Sequence, residues 1–195
     1  IFRVFPQVYD PAEDTFLILE SIETKKDDLV LELGCGCGII ALNCAKNGAK
    51  VVCSDINPYA IKNTKENYEK NKEKIPGSVD VRKGNLFSVI KKDEIFDIII
   101  FNPPYLPTKK EDLIDKNGWY DKALDGGVDG LKLTKRFLKN LSNFLKNEGL
   151  AYFIFSSLSD IKKLNSVISK NKLKKRVLKS CFFDDERLDL YCVYR

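Results

Sequence analysis

Residues 29–48 read "LVLELGCGCGIIALNCAKNG". A five-residue run of strand length, 29–33, enters a turn with Gly at 34, 36 and 38. A helix-length amphipathic segment, 37–48, leaves that turn and stops on Gly48. A buried strand passing through a glycine turn into a helix is how an open α/β sheet begins, and ligands meet such sheets at that turn. Gly34, Gly36 and Gly38 allow a sharp turn and close approach of backbone to a ligand.

The pattern continues along the chain. "KVVCSD" (50–55) predicts a second strand, and Asn57-Pro58 caps a helix carrying Ile61, Thr64 and Tyr68. "SVDVRK" (78–83) alternates polar residues, as a sheet edge does, while "FDIIIF" (96–101) is apolar on both faces, as a central parallel strand is. A helical stripe over 129–147 (Leu131, Thr134, Phe137, Leu138, Leu141, Phe144) ends at Gly149 and leads into a strand over 150–155 and a helix over 158–170. "KKRVLKSCFF" and "RLDLYCVY" flank "DDE" and predict a closing antiparallel hairpin. Ahead of all this, "PAEDTFLILESIE" (11–23) predicts a helix with Asp10 as N-cap and Pro11 at its first position. The expected fold is a Rossmann-like α/β domain over 1–195: a mostly parallel seven-stranded sheet, a closing hairpin and helices on both faces.

Composition narrows the chemistry. The 195 residues suit one buried core, and a net charge of +5 suits a phosphate- or carboxylate-rich partner without requiring one. With no His and no CxxC among six cysteines, a Cys/His metal site and every Ser-His or Cys-His mechanism fall away, so no metal is expected. The cysteines sit largely in apolar segments, which points to a reducing, cytoplasmic setting. No apolar run reaches bilayer length, so no membrane partner is expected. A chain that starts at Ile1 and contains no Met points to a natural first residue missing or removed.

Glu32 lies two residues before Gly34. A carboxylate there would repel a pyrophosphate but suits a ligand with a cationic amino group or sulfonium. Asp55 ends the second strand, where an acid can accept both ribose hydroxyls. An adenosine without phosphates and with a charged amino-acid end describes S-adenosylmethionine. The alternative is a glycine turn that only packs helix on strand. Asn85 and Leu86 follow the edge strand and fall beside the adenine, or Asn85 is a turn residue only.

The strand over 96–101 ends in "NPPY" (102–105). A planar NH₂ has its lone pair tied up in conjugation and must be held so that the pair points at a methyl carbon. The Asn102 side-chain oxygen and the Pro103 carbonyl can each accept one N–H, steadying the positive charge that grows on nitrogen. Pro103 and Pro104 remove competing N–H donors and fix φ, and Tyr105 can stack on the planar group. No histidine is needed. The alternative is a proline-rich strand exit.

With these motifs in place, the chain resembles the class I methyltransferases of the HemK type, most of all the short branch acting on the GGQ glutamine of eukaryotic and archaeal release factors. "VYDPAEDTFLILESI" (8–22), "LELGCGCG" (31–38), "DINPYAI" (55–61), "FNPPYLPT" (101–108) and "ALDGGVDGL" (123–131) carry the resemblance in order and spacing. It implies cofactor contacts from Thr15, Glu32, Gly34, Asp55, Asn85, Leu86 and Asn102, and substrate-amide contacts from Asn102, Pro103, Pro104 and Tyr105. Many members have Asp where Asn85 stands; Asn is a weaker acceptor for adenine. Bacterial members carry an extra N-terminal helical domain, which is not expected here because the "PAEDT" segment begins almost at once. In the short branch a small zinc-ribbon subunit often activates the enzyme by adding to the sheet edge, here the polar strand Val79–Arg82.

Three substrates share the need for a held amine: a protein glutamine, which fits a planar amide best; an exocyclic amine of RNA or DNA; and a protein lysine. The basic tract 162–176 leaves an RNA contact open, beside its reading as a solvated helix face. A non-catalytic cofactor-binding scaffold is the fourth reading, against which Glu32, Asp55 and Asn102 stand together. Residues 119–131, with the only Trp, form either a flap over the substrate or the approach to the next helix.

Overall fold

The computed structural model describes residues 2–109, 118–183 and 185–195. The strands are β1 (Leu29–Leu33), β2 (Lys50–Asp55), β3 (Ser78–Lys83), β4 (Phe96–Phe101), β5 (Leu145–Ser156), β6 (Lys174–Phe183) and β7 (Glu186–Tyr194). Among the described residues these seven form one sheet in the order β3-β2-β1-β4-β5-β7-β6. Pairing is parallel throughout except at β7, which runs antiparallel to both β5 and β6. The order reverses between β1 and β4, and this reversal opens a crevice at their C-terminal ends.

Alternation along the central strands sends side chains into two cores. Val30, Ile98 and Ile100 pack under α1 (Glu13–Ser21), α2 (Ile39–Lys46) and α3 (Pro58–Asn71). Leu31, Leu33, Ile99 and Phe101 pack under α5 (Lys132–Leu141) and α6 (Ile161–Lys170), where Phe137 is fully buried against Phe101 and Phe153. The sixth helix, α4 (Trp119–Leu124), stands beside the crevice. Both sheet faces are covered, as the doubly apolar strand at 96–101 requires. Strand β3 lies at one edge of the sheet, as its polar alternation predicts, and β6 at the other.

Two boundaries differ from the sequence expectation. The helix over 129–147 is α5 alone, and the chain reverses at 142–144 into β5, which already begins at Leu145. Phe144 fitted the helical stripe because it faces the same core, but it does so from the turn, stacked 4.7 Å from the Phe87 ring. Gly149 therefore lies inside β5 instead of ending a helix; a Cβ there would come within 3.0 Å of the Asp97 carbonyl. The first helix is also shorter than 11–23. Ala12, in extended backbone, precedes α1, no side chain caps it, and Asp10 and Pro11 stay outside.

Ala12 is extended, and the chain ahead of it is held against α3. Asn57, Asn63 and Asn67, all buried on α3 or at its cap, pair with the backbone of residues 3–7. Asn67 accepts from the Arg3 N–H at 3.0 Å and donates to the Arg3 and Cys37 carbonyls. Asn63 accepts from the Phe5 N–H and donates to the Arg3 carbonyl, both at 2.8 Å. Asn57 donates to the Gln7 carbonyl while its own oxygen caps α3 through the Tyr59 N–H. A carboxamide offers one acceptor and two donors, so these side chains replace a strand partner. The strap they hold delivers Val8 onto the glycine turn and Tyr9 into the crevice.

Substituting Asn67→Ala leaves the Cys37 carbonyl and the Arg3 N–H without this partner, while the Arg3 carbonyl keeps only its bond from Asn63. We expect a loss of about 2–4 kcal/mol, read as a lower urea midpoint at an unchanged m value.

Candidate active site

The crevice is one cavity. It brings together Thr15, Glu32, Gly34, Gly36, Asp55, Asn85, Leu86 and the whole Asn102–Tyr105 corner. Parallel register sets this convergence: Leu33 pairs with Phe101, so the glycine turn after β1 and the corner after β4 leave the sheet side by side. A Cβ on Gly34 would lie 3.9 Å from the Asn102 carbonyl. Gly38 alone among the predicted residues does not line the cavity. It precedes α2 at φ +84°, where a Cβ would meet the Thr64 side chain at 2.6 Å, so it serves the packing of α3 on the turn.

Glu32 is the anomaly of β1. It shares the face of Val30 and pairs with Cys53 and Ile100, both fully buried, so a carboxylate occupies a core position. Burial raises its pKa well above the usual range, with Asp55 adding to the rise and the Ala41 N–H opposing it. Its Oε2 is buried without a hydrogen-bond partner. Asp55 is better satisfied: Oδ2 accepts from the Gly36 N–H at 3.0 Å and Oδ1 from the Asn57 N–H at 2.8 Å. Burial still raises its pKa, against those N–H groups. Asn85 receives its own cap from Ser88, whose Oγ accepts the Asn85 N–H at 2.9 Å, so it is both turn residue and cavity wall. Leu86 follows at φ +52°, a strained backbone for a branched side chain, held by the Ser54 hydroxyl on its carbonyl.

At the corner, the Asn102 Nδ2 donates to Asp14 Oδ2 at 3.0 Å, and its Oδ1 is buried with no partner. The hydroxyls of Tyr105 and Tyr9 donate to the same Asp14 oxygen, each at 3.2 Å. Burial raises the pKa of both phenols, and the Asp14 charge raises them further. The corner is backed from below by the glycine motif "ALDGGVDGL". The Tyr105 carbonyl accepts from Ser159 Oγ at 2.7 Å, and a Cβ on Gly130, at φ +69°, would fall 2.5 Å from that carbonyl. Trp119, Lys122, Ala123 and Leu124 of α4 also line the cavity, with the Lys122 ammonium 4.4 Å from the Trp119 ring centre. The rest of the irregular stretch, 110–117, lies outside the described residues.

Sequence reasoning missed Asp14 and Tyr9. "PAEDT" reads as acids favouring a helix N-terminus, and nothing in the spacing marks one of the two as buried. The structure separates them: Glu13 is exposed, whereas Asp14 is 3% exposed.

Known proteins similar to this chain in sequence and in fold include methyltransferases. Residues 8–117 match the methyltransferase small domain family. The putative protein N5-glutamine methyltransferase of Methanocaldococcus jannaschii is 42% identical over 173 residues, covering 88% of this chain and 81% of that one. Methyltransferase HEMK2 of Homo sapiens is 35% identical over 159 residues, covering 77% and 72%. Among solved structures, the Mtq2–Trm112 complex of E. cuniculi, responsible for methylation of the eRF1 translation termination factor, superposes with a TM-score of 0.71 at 21% identity, covering 97% of this chain and 99% of that one. The fold is that of a class I methyltransferase. The chain belongs to the HemK-type methyltransferases, the family of the protein N5-glutamine methyltransferases.

The family implies S-adenosylmethionine, and the cavity fits it. A buried carboxylate oxygen lacking a partner at Glu32 suits a cationic group, and Asp55 stands at the end of the next strand over. Without a counter-ion, the buried Glu32 carboxyl costs stability. A carboxyl whose folded pKa is raised destabilises the protein progressively as pH climbs from its unfolded value, 4.5, toward the folded one. Glu32→Gln removes that cost. In urea titrations without cofactor, the variant's stability relative to wild type should rise as pH increases through this window; a margin independent of pH would contradict the assignment.

Proposed function

We propose that this chain transfers a methyl group from S-adenosylmethionine to the side-chain amide nitrogen of a protein glutamine, the GGQ glutamine of a peptide chain release factor. The observation that carries the reading is the unpartnered Oδ1 of Asn102, a buried acceptor in the same cavity as the Glu32 and Asp55 carboxylates. The relatives named as glutamine methyltransferases and the eRF1-methylating Mtq2–Trm112 complex support this substrate.

In this reading Glu32 meets the cationic amino-acid end of the cofactor and Asp55 the ribose. Asn85, Leu86 and Thr15 close the adenosine pocket, and Gly34 and Gly36 let backbone approach it. The bound cofactor supplies a methyl on a sulfonium, an electrophile that needs only an aligned nucleophile. Asn102 Oδ1 accepts one N–H of the substrate amide and the Pro103 carbonyl the other, turning the nitrogen lone pair toward that methyl. With the cofactor bound, transfer to that nitrogen would form an N–C bond as the S–C bond broke with its electron pair on sulfur, and the extra proton would leave nitrogen for water. Pro104 and Tyr105 wall the planar group. The absence of histidine is then no obstacle, because no general base is needed in the transition state.

We further assign the whole of 1–195 to one catalytic domain, acting in the cytoplasm, where its six free cysteines stay reduced. Among the described residues no helix is long and apolar enough to cross a membrane. The outer edge of β3 is assigned to a small activator protein. Its place at the sheet edge supports this, as does the E. cuniculi relative, a complex of Mtq2 with Trm112. The basic tract 162–176 gains no role in RNA binding here. It runs along α6 and into the start of β6; Leu164 and Ile168 of α6 pack on the sheet, and its Lys163 pairs with Asp129 and Asp160.

The test is mass spectrometry of a release factor after incubation with the chain, the cofactor and a co-expressed activator; one methyl on the GGQ glutamine is expected, and methylation confined to RNA or to lysine would overturn the reading. Asn102→Ala should lower kcat by at least ~10²-fold while cofactor affinity changes far less. Asp55→Ala should instead weaken cofactor binding by about 1–3 kcal/mol in calorimetric titration.

A further inference from the structure

A carboxamide beside a reacting amine has two orientations, and only one is useful. With oxygen inward it accepts a substrate N–H; with nitrogen inward it opposes one donor with another. The two faces of an Asn amide are nearly isosteric, so packing alone does not choose between them. We propose that Asp14 is the positioning residue that makes the choice, holding Asn102 with its oxygen toward the substrate. The proposal rests on the glutamine-methylation reading and adds to it how the acceptor is kept an acceptor.

The carboxylate is itself fixed by a backbone N–H, a group that cannot reverse. Asp14 Oδ1 accepts the Thr15 backbone N–H at 2.5 Å and the Thr15 hydroxyl at 3.1 Å. Oδ2 then faces Asn102 Nδ2 and the hydroxyls of Tyr9 and Tyr105. An ionised carboxylate only accepts, so the group opposite must present its NH₂. Polarity passes from a backbone N–H, through Asp14, to Asn102, and emerges as the unpartnered Oδ1. The two tyrosine hydroxyls complete the carboxylate's shell while leaving that polarity unchanged. A hydroxyl rotates freely between donating and accepting, so neither could set it.

This predicts an outcome that mere packing does not. In Asp14→Asn the new amide must still offer its oxygen to the Thr15 N–H, which has no other orientation. Its NH₂ then faces Asn102, and Asn102 turns over to accept from it, pointing its own NH₂ at the substrate. Shape, volume and fold are kept, yet the acceptor is lost. Asn102→Asp fails for a different reason: two carboxylates then face each other at the 3.0 Å separation now held by one hydrogen bond. Combining the two substitutions repairs both faults. Asn at 14 donates to Asp at 102, and the free oxygen of that carboxylate faces the substrate.

The experiment is a double-mutant cycle on the full chain with its activator, using release factor as substrate and following kcat, KM and cofactor affinity. Asp14→Asn should lose about 10²-fold in kcat with cofactor affinity and melting temperature near wild type. The double variant should be at least ~10-fold faster than either single one, a sign of coupling that additive damage cannot give. Retention of wild-type kcat by Asp14→Asn, or a double variant as slow as the product of the singles, overturns the proposal. If Asp14→Asn does not fold, Asn102→Asp alone decides. Its carboxylates must share a proton, so its kcat should fall with rising pH, and a pH-independent kcat overturns the assignment. If wild type methylates no glutamine, the functional reading fails by itself. The polarity proposal is then judged on the Asn102 side-chain NH₂ signals in ¹⁵N-labelled protein, which must move in Asp14→Asn and stay put if Asp14 does not orient them.

Discussion

Parallel pairing of β1 with β4 is the constraint on which the rest depends. Those strands are distant in sequence, and the reversal of strand order between them leaves no crossover helix above their ends. Register then does the positioning. Because Leu33 pairs with Phe101, the first residue beyond each strand, Gly34 and Asn102, emerges beside the other. A slip of one residue would turn Glu32 out of its core and put the wrong face of β4 inward. What prevents the slip is apolar packing well below the site. Val30 and Ile100 are buried in one core and Leu31 and Ile99 in the other, with none of them accessible to solvent.

That rigidity is what allows polar groups to be left unsatisfied where the chemistry is. Glu32 and Asn102 each bury an oxygen with no partner, a cost of about 1–3 kcal/mol apiece for a neutral group and more for a charged one. Of the four buried side-chain oxygens without a partner among the described residues, these two belong to residues that line the same cavity, while Ser21 Oγ and Glu186 Oε1 lie outside it. By contrast the three asparagines that bind the N-terminal strap are thoroughly bonded, and their network holds the wall carrying Val8 and Tyr9. The asparagines of the strap have complete bonds, whereas Asn102, to which the proposed function gives the substrate, does not.

Much of this could be read from the residues before any coordinates. The glycine turn, Asp55, the Asn-Pro-Pro-Tyr corner, the edge strand and the closing hairpin are local patterns, because their chemistry is written in neighbouring side chains. The misreadings had a shared physical origin. Phe144 matched a helical stripe because a turn and a helix can face one core, and periodicity records the face and not the backbone. Gly38 belongs to the glycine turn by pattern, and its close approach to Thr64, a residue remote in sequence, could not be read from that pattern. Asp14 went unread because its meaning lies in contacts 88 and 91 residues away, which no local spacing encodes.

The missing histidine then takes on a positive meaning. A general base near the amine would compete for the lone pair's direction and would itself need a protonation state matched to working pH. A neutral carboxamide needs neither, but it brings a two-fold ambiguity that an imidazole or a carboxylate does not have in the same form. On the reading proposed above, a buried carboxylate resolves that ambiguity from behind Asn102, without touching the substrate. Asn at the corner and Asp behind it therefore divide the work: the neutral group meets the substrate, and the charged group, sheltered by two phenols and a backbone N–H, governs it. Either alone would be a poor device. A lone Asn would face both ways, and a carboxylate at the corner itself, with Asp14 behind it, would have to hold a proton to stay there.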